Sequence, residues 1–123
     1  MLTLPSNGVS FTLEELHQSI EMQLECSPLR DLTDDRALQH AVCGLTEEAG
    51  EVAGLLKREV YQEKPVERER WVDELGDVLW YLIVTARAKG LTLDEVFKYN
   101  EEKLTKQYGP FGLDPTQLTM EDF

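Results

Sequence analysis

Apolar side chains recur along this chain at intervals of three and four residues, the spacing that lines one face of a helix. Thr12 opens the first such stretch, with Glu15 three residues on at capping-box spacing, and Leu13, Leu16, Ile20 and Leu24 follow until Pro28 stops the run. A second helix is predicted from near Thr33 or Asp34 to about Glu59, with a seam of Leu38, Val42, Leu45, Ala49, Val52 and Leu56. The stretch YQEKPVE contains Pro65 and reads as a loop, after which a third helix runs from about Val66 to Lys89 with Gly90 as its C-terminal cap. Thr92 and Glu95 form another capping box, heading a fourth helix whose seam is Leu93, Val96, Phe97 and Leu104. The tail YGPFGLDPTQLTMEDF is punctuated by Gly and Pro and reads as irregular, a strap over the helices or an arm for a partner. No segment alternates with period two, so the expected fold is all-α and four-helix bundle-like.

A length of 123 residues makes a single domain, residues 1–123, the natural reading. Charge narrows the function: 12 Lys and Arg stand against 24 Asp and Glu, a net charge of −12. Nucleic acid is not the expected partner, because sequence-independent binding draws on basic side chains to displace counterions from phosphates. Small anionic ligands remain open where a metal ion supplies positive charge. The first residues, MLTLPSNGVS, lack a basic segment followed by an apolar one, and the apolar run VLWYLIV is far short of the roughly 20 residues of a membrane span. A cytoplasmic protein with no membrane partner is therefore expected. Cys26 and Cys43 form no C-x-x-C and are expected to be reduced, packed thiols. No G-x-x-x-x-G-K-[ST] is present, so no P-loop cradles phosphates.

The acidic residues are clustered. In LTEEAGEVAGLLKRE, Glu47, Glu48 and Glu51 crowd one turn beside the seam, where like charges repel by a few tenths of a kcal/mol per pair. On a helical wheel Glu48 falls on the shoulder of the seam, Glu51 about 60° from it, and Glu47 further round, about 40° from Glu51. In WVDELGDVLWYL on the third helix, Tyr81, Val78 and Trp71 all fall within about 60° of Glu74, and Asp77 lies about 60° away. Glu74 is thus placed among apolar side chains, with Arg70 assigned to Asp77's flank and no basic partner of its own. An ionised carboxylate buried alone costs several kcal/mol or takes up a proton. If the second and third helices pack antiparallel, Glu48 and Glu51 face Glu74 and Asp77, and four carboxylates converge. Hard oxygen ligands in that number suit Mg²⁺, or Mn²⁺, with room for more than one ion.

The two half-motifs, EEAGE and, after 22 intervening residues, ELGD, read as E-E-x-x-E…E-x-x-D. Together with YNEEKL in the following helix they resemble the MazG-like, all-α nucleoside triphosphate pyrophosphohydrolase superfamily, over about Leu38 to Tyr108. The resemblance implies Mg²⁺-dependent hydrolysis of a nucleoside triphosphate between the α and β phosphates, giving a monophosphate and pyrophosphate. It makes Glu48, Glu51, Glu74 and Asp77 the metal ligands and Glu47 the group that orients or deprotonates the attacking water. Lys57, Asn100 and Lys103 fall where family members hold substrate or metal. The chain departs from the family at Gln107, in KLTKQY, where an Arg is common. Relatives act on dUTP, dCTP, other canonical or damaged nucleotides, or phosphoribosyl-ATP; the stretch DVLWYL favours deoxynucleotides and nucleotide-pool cleaning.

Other readings stay open. A helical regulatory module with a structural metal site would show the same carboxylates without turnover. Glu14-x-x-His17 matches half of a di-iron bundle motif, which uses two; His17 and His40 are otherwise read as incidental. Leu79, Trp80 and Ile83, on the side of the third helix away from Glu74, add up to more apolar surface than a small four-helix chain covers. A homodimer or homotetramer is expected.

Overall fold

The computed structural model describes residues 10–30 and 35–109. Those residues form four α-helices and no strand: α1 (Leu13–Glu25), α2 (Asp35–Val60), α3 (Arg68–Ala88) and α4 (Leu93–Tyr108). The expected all-α class is what the chain adopts, and the irregular tail lies outside the described residues.

The helix ends follow local chemistry. The Thr12 side chain accepts a hydrogen bond from the Glu15 backbone N–H, satisfying one of the donors a helix start leaves open. At α4 the box is complete: Thr92 accepts from the Glu95 N–H while the Glu95 carboxylate accepts from the Thr92 N–H at 2.7 Å. The end of α3 closes through Gly90, whose φ of 70° lies in the left-handed region. Its N–H donates to the Arg87 carbonyl at 2.9 Å and the Leu91 N–H to the Ala86 carbonyl at 2.8 Å, the paired bonds of a Schellman cap.

The organising contact is the antiparallel pair of α2 and α3, by far the most extensive helix–helix interface; α1 lies on α3, and α4 touches α1 and α3 but not α2. Sequence and structure part company on which face of α2 does the packing. Ala37, Ala41, Gly44 and Leu55 are buried, whereas Val42 and Leu56 of the expected seam are exposed. The buried face is rotated by roughly 95° from that seam. Small residues permit the close approach: a Cβ at position 44 would run into the Tyr81 ring of α3. Around this contact, Leu24, Leu29, Ala37, Ala41 and Val84 form one core cluster and Ile20, Ile83 and Leu93 a second, with Trp80 packed against both.

Two further expectations are corrected. Only Leu93 of the α4 seam is buried, and Phe97 and Leu104 are exposed, because α4 meets the other helices through its N-terminal part. Cys26 and Cys43 are free but exposed, not packed. Glu14 pairs with Gln18 and His17 with Glu21. Glu21 also takes an ion pair from Arg87, which ties α1 to α3.

Replacing Gly44 with Ala should lower the thermal midpoint through a cost of about 1–3 kcal/mol, the usual scale of an overpacked contact. Gly54→Ala, which meets no neighbour within 4 Å, should be neutral or stabilising by up to about 1 kcal/mol. Circular-dichroism melts of the two variants side by side check this contrast.

Candidate functional site

Rotation of the α2 face moves Glu48 from the shoulder of the seam to its middle. Glu48 is four residues beyond the buried Gly44, so one helical turn carries its side chain onto the same interface. From the opposite helix, Glu74 and Asp77 come to meet it. Carboxylate oxygens of Glu48, Glu74 and Asp77 lie within 4.8 Å of one another. Glu74 is the buried member at 8% exposure, Glu48 is half-buried and Asp77 is exposed. Together they form a small acidic niche with one dry wall.

Glu74 has a basic neighbour that the sequence reading assigned elsewhere. Arg70, four residues earlier on α3, places Nη2 3.5 Å from the Glu74 carboxylate, across one turn of the same helix. Arg70 is itself half exposed, so this long contact compensates little of the cost of holding a carboxylate out of water. Three converging carboxylates and one distant guanidinium leave an excess of negative charge. Partial burial, and after it the charges of Asp77, Glu74, Glu47 and Glu51 in that order, push the Glu48 carboxyl above its ordinary range. Oxygen donors of this hardness and spacing fit a Mg²⁺ or Mn²⁺ ion.

The remaining sequence candidates are placed differently. Glu47 and Glu51 are exposed on α2, flanking Glu48, and Glu51 does not join the three-carboxylate group. Lys57 is exposed nine residues beyond Glu48, roughly 14 Å along the helix. Asn100 and Lys103 are exposed on α4, which makes no contact with α2. Asn100 lines a surface groove with Leu91, Val96 and Tyr99. Gln107, at the departure from the family pattern, donates to the Tyr108 hydroxyl at 3.0 Å.

Two features escaped the sequence reading. Tyr81 lies on the α2 backbone at Gly44, one turn from Asp77, and its hydroxyl feels the niche: partial burial and the charges of Glu48, Glu47 and Asp77 raise its pKa. His40, read as incidental, presents its ring to Tyr81 with centroids 6.2 Å apart. The signal for both was available, since His40, Gly44 and Glu48 are spaced by four residues and Tyr81 follows Asp77 by four.

Because the folded protein raises the Glu48 pKa, the native state holds that proton more tightly than the unfolded chain. Stability contributed by this group therefore falls as pH rises from the ordinary carboxylate range through the raised value, and stays lower above it. Glu48→Gln should melt higher than the unsubstituted protein at neutral pH in EDTA, with the difference shrinking as pH falls toward 4.5. Scanning calorimetry at stepped pH tests this; an equal or lower midpoint at neutral pH would contradict the charge crowding.

The model of the MazG nucleotide pyrophosphohydrolase domain matches residues 36–108, which contain the α2–α3 pair, all three carboxylates of the niche and α4. An uncharacterized protein of Bacillus subtilis (strain 168), YvdC, is 34% identical over 73 residues, a match that takes in 52% of this chain and 69% of that protein. No solved structure matches the chain. A match spanning more than half of the residues, on an all-helical fold with its acidic residues converging between the second and third helices, places the chain in the MazG nucleotide pyrophosphohydrolase domain family.

Proposed function

We propose that the protein hydrolyses a nucleoside triphosphate, with deoxynucleotides favoured, at the α–β phosphoanhydride to give the monophosphate and pyrophosphate. The observation that carries this reading is the meeting of Glu48, Glu74 and Asp77 across the α2–α3 interface of a MazG domain. Glu48, Glu74 and Asp77 would hold a Mg²⁺ ion, and Glu51, one turn from Glu48, would reach the same ion or a second one by a change of rotamer. Such an ion supplies charge neutralisation on the phosphate oxygens and activation of water. Glu47, exposed beside the niche, accepts the proton of the attacking water. A cation held there would compete with Arg70 for Glu74, and the guanidinium so freed would be available to an anionic oxygen. Lys57, Asn100 and Lys103 are retained as substrate contacts, the last two on a helix that only another copy could bring to α2. Removal of unwanted nucleotides from the cytoplasmic pool is the role this chemistry serves.

Assembly belongs to the same proposal. On α3, Val72, Leu75, Leu79 and Leu82 form an exposed stripe at spacings of three, four and three. That is the seam of a helix packed against another helix, and nothing in the described part of this chain covers it. A homodimer or homotetramer buries it.

The deciding experiment is a panel assay of purified protein with Mg²⁺ or Mn²⁺ against canonical nucleoside and deoxynucleoside triphosphates and dUTP, resolving pyrophosphate from orthophosphate. Pyrophosphate and a monophosphate, abolished by EDTA and by Glu74→Gln with the helical spectrum retained, is the expected result. Turnover undiminished in Glu74→Gln would remove the niche from the mechanism, and metal-stabilised protein without turnover would favour the regulatory module. Arg70→Met should tighten Mg²⁺ binding by up to roughly fivefold, the scale of losing a competing ion pair worth up to about 1 kcal/mol. The rise of the thermal midpoint with Mg²⁺ concentration measures it. Leu79→Glu should shift the mass in sedimentation equilibrium to that of one chain.

A further inference from the structure

α2 carries two apolar faces, and the described residues supply a neighbour for only one. Ala37, Ala41, Gly44 and Leu55 meet α3, while Leu38, Val42, Leu45, Ala49, Val52 and Leu56, spaced by four and three in alternation, lie roughly 95° round the helix. Val42 and Leu56 of this second face are 45% and 53% exposed. A hairpin of two helices needs one apolar face on each. Two faces near a right angle are what a helix in a four-helix bundle carries, because it touches two neighbours. Among the described residues no helix takes the second place: α1 packs on α3 and reaches α2 only at Ala37 and Ala41, and α4 does not touch α2.

The uncovered stripe of α3 belongs to the same surface. Val72, Leu75, Leu79 and Leu82 lie roughly 140° round α3 from the face that meets α2, and Asp77 and Trp80 turn the other way from that face. On α2 the second face turns one way and His40 and Glu51 the other. His40 and Trp80 line one groove and so mark one side of the pair, which puts the second face of α2 and the stripe of α3 together on the opposite side. Charge is sorted across this divide. No acidic residue of α2 between Val42 and Leu56, and none of α3, falls on the side of the two stripes, so a chain of net charge −12 keeps one face neutral.

We infer that these two stripes form a single docking face for a second copy of the chain, giving a four-helix core of two α2–α3 pairs related by a two-fold axis. The inference deepens the assembly proposed above and draws on nothing in the reaction. A second copy brings the same length, the same spacing of three and four and the same absence of acid, as a self-complementary two-fold contact requires. The six exposed side chains of the face present on the order of 500 Å² on one copy, so two faces bury on the order of 1,000 Å², where specific interfaces begin. The acidic niche opens on the other side of each pair, and docking leaves it free.

The test reads mass, not turnover. At micromolar concentration the protein should sediment as two chains, and Val42→Glu, which alters α2 alone, should raise the dissociation constant by at least about tenfold by setting a charge in the interface. One copy carrying Leu56→Glu and Leu79→Glu, and another carrying Leu56→Lys and Leu79→Lys, should each sediment as a single chain with the helical spectrum kept. Mixed in equal amounts, they should form a two-chain species, a recovery that unfolded chains would not show. Single chains of the unsubstituted protein at high micromolar concentration would overturn the inference and hand the face to another protein. A dissociation constant unmoved by Val42→Glu, or a mixture that stays single, would overturn it as well. Two chains in a protein that hydrolyses nothing would sink the pyrophosphohydrolase reading and keep this face; turnover by a single chain would do the reverse.

Discussion

The closeness of α2 to α3 is the constraint on which everything else depends. Two helices pack at a separation set by the side chains between them, and here α2 offers Ala37, Ala41 and Gly44 along the line of contact. With larger residues there, the axes would stand further apart and the oxygens of Glu48 would not reach those of Glu74 and Asp77. Tyr81 marks the limit of this approach, its ring resting on the backbone where a side chain is missing. The small residues are therefore as much a part of the site as the acidic ones.

Such closeness costs stability where it gathers charge. Glu74 is buried with a single long ion pair, and Glu48 is crowded by four other carboxylates. A chain selected only for folding would place apolar side chains at these positions, where they would seal the interface. Local departure from what stability alone asks is what a binding role for these carboxylates would require, and here it is confined to about one helical turn on each helix.

How legible was this in the sequence? The helix boundaries were, because caps act locally: Thr12, Gly90 and the Thr92–Glu95 box announce themselves within four residues. The clustering of acidic residues was too. The face of α2 was not, since Leu38, Val42 and Leu56 outweigh Ala37, Ala41 and Gly44 in any count of hydrophobicity, although the small residues do the packing. That error carried Glu48 to the shoulder of the interface, whereas the structure puts it at the centre; Glu51, expected to join the converging carboxylates, stays outside their group. His40 was passed over for a related reason: its four-residue spacing from Gly44 puts it on the packed face, but in the pattern the leucines claim that place.

The connection between α2 and α3 adds one more property. Residues 61–67 join the helices, and next to that turn the Trp71 indole donates to the Glu59 carboxylate at 3.0 Å. The pair is thus tied at one end by its turn and that hydrogen bond, while at the other Ala37, Ala41 and Val84 are clasped in the core they share with Leu24 and Leu29. Glu48 stands about 16 Å from the level of Glu59, so the carboxylates sit along a span fastened at both ends rather than at a free tip, and their spacing is set from two sides.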